Sequence, residues 1–226
     1  MSATSVLLRA CLVLSLLPLW GLSSAQAQIN PAEISHPRPK SLEQTYLSKL
    51  VALNHDISQT KFPFPFTLSR YIGLDPKNPL AADRRGLEFV IFHGRSILKV
   101  SGNYDAAFNP ALLTENQRAN RALDEVVVPI LRLLPRYFAE PLSFDGFGFE
   151  VSYHVRAKEP SYDYEGAEVL TLVITKADAF RYPAIQQDSE RQEVLDASEV
   201  YLNGKEFGLA LNARDPFDVE ALPKPR

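Results

Sequence analysis

From Phe147 to Val155 every second residue is large and apolar: Phe147, Phe149, Val151, Tyr153 and Val155. Gly146, Gly148, Glu150, Ser152, His154 and Arg156 fill the places between them. A period of two puts alternate side chains on opposite faces of a strand. One face must be buried and the other polar, as in an antiparallel sheet covered on one side. This pattern predicts a strand over 142–157. The stretch 158–166, rich in Tyr, Asp and Gly, reads as a turn, and 167–175 as the return strand of a long hairpin.

Two more hairpins are expected. Leu87–Phe92 and Ser96–Val100 flank His93-Gly94-Arg95, and Val200–Leu202 and Phe207–Leu211 flank Asn203-Gly204. Asn-Gly between β-rich runs is a strong hairpin signal, because both turn residues must adopt positive φ.

Helices are read from capping boxes followed by apolar stripes. Ser41 to Gln44 opens one over 42–58, with Tyr46, Leu47, Leu50, Val51, Leu53 and Ile57 at helical spacing. Thr114 to Gln117 opens a second over 115–134, with Leu123, Val126, Val127, Ile130, Leu131 and Leu134; Pro129 should bend it. Ser189 to Gln192 opens a short third over 190–198. Phe62-Pro63-Phe64-Pro65-Phe66 between them forbids a helix or a central strand and predicts an extended strap whose rings turn inward. The expected fold is α+β: an antiparallel sheet built from hairpins, with about three helices packed mainly on one face.

The N-terminus sets the expected compartment. Arg9 precedes an apolar run from Ala10 to Leu22, and Ala25-Gln26-Ala27 has the small-x-small form of a signal-peptidase site. The run is shorter than the roughly 20 residues that span a bilayer. The expectation is a cleaved leader over 1–27, a flexible Pro-containing arm over 28–40, one globular domain over 41–211 and a Pro-containing tail over 212–226. The one cysteine, Cys11, lies in the leader, so the mature chain is expected to have no thiol, and its fold to rest on packing. The expected location is periplasmic or secreted, with no stable membrane anchor after cleavage. A net charge of −3 argues against nucleic acid.

Catalytic signatures do not assemble. Gly-x-Ser-x-Gly is absent; Ser58-to-Lys61 and Ser96-to-Lys99 match Ser-x-x-Lys without the companion motifs that give it meaning. The four histidines show no metal-ligand spacing, and no glycine-rich phosphate loop follows a strand. No cofactor and no metal are expected. Glu150, Ser152 and His154 share one strand face, yet Glu150 and His154 should lie about 13 Å apart, beyond hydrogen-bond reach. They could line a groove beside Gly146 and Gly148. Tyr162 and Tyr164, placed at a hairpin tip, could meet a protein or glycan.

Two functions follow. The first is a non-enzymatic binding or accessory domain of the cell envelope, with an unidentified protein or glycan partner. The second is a hydrolase of envelope or extracellular polymer with Glu150 as acid, which needs a second carboxylate close by.

Overall fold

The computed structural model describes residues 30–73, 83–139, 141, 143–159 and 162–211, with side chains for all but 157–159 and 162–164. The expected leader and C-terminal tail lie outside the described residues. The architecture is α+β, with a seven-stranded sheet and helices packed against it.

The first helix, α1 (Pro37–Gln59), starts before Ser41, with His36 as its cap. Pro37 and Pro39 suit a first turn, where a missing N–H costs nothing. The last four residues of the expected arm therefore belong to α1, and Pro39 is buried. Pro31–Glu33 form a short 3-10 turn ahead of it. Leu42, Tyr46, Leu50, Leu53 and Ile57 of α1 enter the core, whereas Leu47 and Val51 stay exposed.

The Phe-Pro strap leads into β1 (Phe66–Leu68), a short edge strand that begins directly after Pro65. Phe62 and Phe66 pack against the core and each other, while Phe64 is exposed and its ring meets Tyr104. β2 (Leu87–Phe92) and β3 (Arg95–Phe108) form the first expected hairpin. His93 and Gly94 take φ of 46° and 77° at its tip. β3 is longer than expected, because β1 and β2 pair with successive parts of one side of it.

The connection after β3 is helical. α2 (Glu115–Ala122) begins with the expected capping box at Thr114 and Gln117. It runs through a π-turn at Leu123–Val127 into α3 (Val128–Phe138). The π-turn, where Val128 N–H bonds to Leu123 O, falls just before Pro129. It thus loosens the ladder where the proline ring would clash. The rod passes Pro135 and ends at Phe138, beyond the expected 134.

A rod of this length carries the chain back along the sheet, so β4 (Gly146–Glu159) lies parallel to β3. The sheet is therefore mixed, which corrects the antiparallel expectation. β4 pairs antiparallel with β5 (Tyr162–Thr175) without interruption from Gly146↔Thr175 to Glu159↔Tyr162. The expected 158–166 turn is thus mostly strand. Arg156 and Glu165 form an ion pair across it, which favours continued pairing.

A helix that the sequence reading missed, α4 (Lys176–Arg181), follows with Thr175 as cap. α5 (Asp188–Asp196) starts one residue before Ser189, without a side-chain cap. With α2 and α3 counted as one rod, the described residues hold four helical bodies, not three. β6 (Glu199–Leu202) pairs with β5 and turns through Asn203-Gly204 into β7 (Lys205–Glu206). That turn is as expected, but residues 207–211 are not strand.

One continuous core joins the helices to Phe147, Phe149, Val151, Tyr153 and Val155. The opposite sheet face, which includes Ile97 and Val173, contributes nothing to this core among the described residues, and it is curled. The tip of the β2–β3 hairpin reaches across β4 and β5 to β6, where His93 Nδ1 lies 2.9 Å from Glu199, Arg95 pairs with Glu199, and Phe92 meets the Tyr201 ring. Gly148 lies under this hairpin: a Cβ there would come within 2.9 Å of Ile97 Cδ1. Among the described residues no helix is long and apolar enough to cross a membrane.

Candidate functional site

Glu150, Ser152 and His154 do share the face away from the helices, but they have three different environments. Ser152 is buried and donates to Asn103 Oδ1 at 2.6 Å, and Asn103 also holds Gly73 and Tyr71. It is a structural tie. His154 is half-buried, and its side chain makes no hydrogen bond or ion pair among the described residues. Glu150 lines the hollow of the curled sheet, about 260 Å³, with Val90, Phe92, Ile97, Gly148 and Val173. Tyr162 and Tyr164 have their backbones in β5, opposite Glu159 and Ala157; their side chains lie outside the description.

Lys99, which also lines the hollow, links Glu150 to a second carboxylate, Glu88, that the sequence could not place. Lys99 Nζ lies 2.7 Å from Glu88 and 3.5 Å from Glu150. Register explains the cluster: Glu88 opposes Lys99 on β2, and Ser101, two residues on from Lys99, is in register with Glu150 on β4. Its chemistry is limited. The ammonium occupies the space between the carboxylates, where a scissile bond or attacking water would have to sit. The hollow is also smaller than the roughly 300–1,000 Å³ of ordinary ligand sites.

A larger cleft lies elsewhere, about 660 Å³, between the second half of α1, β1 and the end of α3. Its floor includes Val51, Ala52 and Ile57 of α1 and Phe66 and Leu68 of β1. Val51 is 38% exposed and Leu47, one turn earlier, 37%, so the apolar stripe of α1 is wider than the core uses. His55, Asp56, Arg84 and Tyr137 are polar members of the lining. Asp56 Oδ2 accepts from Tyr137 Oη at 2.5 Å and from Arg136 at 2.5 Å. The Tyr137 hydrogen bond, assisted by Arg136, holds the Asp56 carboxyl below the usual carboxylate range. Asp56 is thus already satisfied, while Arg84 makes no ion pair among the described residues. No serine of this cleft is hydrogen-bonded to a histidine side chain; Ser58 Oγ donates to the His55 carbonyl.

The cleft is not legible in the sequence because its lining comes from four separate segments, with Arg84 and Tyr137 far along the chain from α1 and β1. The one local signal was the surplus width of the α1 stripe, visible as Leu47 and Val51 beside Leu50 and Leu53.

Other buried polar groups are structural. Arg118 and Glu168 form a bidentate pair at 2.9 and 2.5 Å between α2 and β5, beside the buried Tyr153. Burial, with Glu168 adjacent, pushes the Tyr153 hydroxyl well up. Glu43, fully buried on α1, accepts from Phe89 N–H at 3.3 Å. No group of three or more His, Cys, Asp and Glu side chains suited to a metal ion exists among the described residues. The chain matches no protein-family model, no curated protein and no solved structure.

Proposed function

We propose that the protein is a non-enzymatic binding module, exported to the periplasm or beyond by removal of residues 1–27, and that it holds a protein or glycan partner in the cleft between α1 and β1. One observation carries the reading. The cleft between α1 and β1, about 660 Å³, has apolar lining that includes the exposed Val51, a polar rim, and among the described residues no nucleophile paired with a base. That combination suits holding rather than turnover. The apolar run before Ala25-Gln26-Ala27 supports export.

The test is NMR solvent mapping with 2-propanol as an apolar probe. Amide shifts should gather at Val51, Ala52 and Thr67. Shifts confined to Val90, Ile97 and Val173 would move the site to the curled face and contradict the reading.

The gathering of Glu88 near Glu150 favours a second reading, a hydrolase of envelope polymer. Release of reducing ends from peptidoglycan that is lost in Glu150→Gln and retained in Val51→Glu would establish it. The binding reading expects no release from either.

A further inference from the structure

We infer that the partner enters the α1–β1 cleft as an extended peptide segment, adds as a strand to the outer edge of β1, and presents a carboxylate to Arg84. The inference rests on the binding reading above and names its partner class.

The backbone of β1 defines the mode. Pro65 O accepts from Asp105 N–H, Ser69 N–H donates to Ser101 O, and Thr67 opposes Asn103. Residues 65, 67 and 69 therefore direct their backbone groups at β3. By strand alternation Phe66 and Leu68 direct theirs the other way. These two N–H and two C=O groups have no hydrogen bond among the described residues, and β1 is the sheet's terminal strand along this stretch. Phe66, Thr67 and Leu68 also line the cleft, so the unpaired edge opens into it. An extended peptide is the ligand whose own backbone answers two donors and two acceptors at strand spacing. A helical ligand satisfies its backbone internally and would leave them bare.

The side chains define the peptide. Apolar residues at alternate positions would cover Val51 and Leu47, which α1 exposes at i and i+4 along this side. The charge of the lining is unbalanced: Asp56 is matched by Arg136, and Arg84 makes no ion pair among the described residues. The complementary group is a side-chain or C-terminal carboxylate, which an arginine fork holds well.

The experiment pans the purified protein against a displayed library of random heptapeptides with free C-termini, then measures binding of enriched peptides by fluorescence anisotropy. Enriched sequences should alternate apolar residues and carry a carboxylate. N-methylation at the one or two alternate positions facing β1 should weaken binding about tenfold or more, with little effect at the positions between. Arg84→Glu should cost about the same; Arg84 is exposed, so the fold should not suffer. Enriched peptides with helical spacing, insensitive to N-methylation but abolished by Val51→Glu, would overturn strand addition and leave the binding reading intact. No ligand sensitive to Val51→Glu would overturn both. A dimer in solution that Arg84→Glu and Val51→Glu both dissociate would make the occupant a second copy, and the peptide inference would fall.

Discussion

At the scale of single residues, the polar groups sort by whether their partners come from the fold or are lacking. Arg118 and Glu168 are nearly buried and satisfy each other. Glu168→Gln removes one charge and strands the other, so it should cost about 3–5 kcal/mol in chemical denaturation. Arg118→Met with Glu168→Leu should come back to within about 1–2 kcal/mol of the natural protein, because no lone charge is left inside. Asp56 makes a pH prediction. Its folded pKa is depressed, first by the Tyr137 hydroxyl and then by Arg136. Its contribution to stability is therefore full above the unfolded-state value and is lost as pH falls through the lower folded value. Tyr137→Phe should raise the Asp56 midpoint toward the ordinary carboxylate range, read by carboxyl carbon NMR, and move acid unfolding to higher pH. An unchanged midpoint would refute that assignment. Neither pair was legible in the sequence. Arg118 and Glu168 sit in adjoining elements of the fold but fifty positions apart, and local pattern carries no information on such pairings.

At the scale of elements, two glycines on one strand face serve different neighbours. A Cβ at Gly146 would strike the Ile174 carbonyl oxygen, which is backbone in a paired strand. A Cβ at Gly148 meets Ile97 Cδ1 at 2.9 Å, the movable end of a side chain. Gly146→Ala should therefore lower the melting temperature markedly more than Gly148→Ala. The reverse order would contradict this account of the two contacts. Both hairpin turns and the long β4–β5 alternation were readable beforehand, because turn chemistry and a period of two are local properties. The extent of the strands was less so: 158–166 reads as a turn by composition, yet cross-strand pairs such as Arg156 and Glu165 carry the ladder onward. α4 had a readable signal, Thr175 followed at three residues by Asp178. The N-terminal proline residues hid the start of α1, since Pro37 and Pro39 suit a first turn as well as a loose arm.

At the scale of the whole molecule, one feature separates the observed sheet from the expected one. A helical rod between β3 and β4 makes that pair parallel, and so sets β1 and β2 end to end along the outer side of β3. β2 gains length and curls over the polar face; β1 stays short, with one edge open beside α1. The curled face is closed by the Glu199 contacts and filled by Lys99 with its two carboxylates. The face toward α1 keeps an apolar floor and unmatched backbone groups. The junction of α1 and β1 is thus a cleft that only topology creates. The most direct check is residue-resolved amide hydrogen exchange of the free protein along β1. Phe66 and Leu68 should exchange fast, near the rate of an open chain, while Thr67 between them is protected by β3. Strong protection at all three would mean that the edge is already covered, and strand addition at β1 would be excluded.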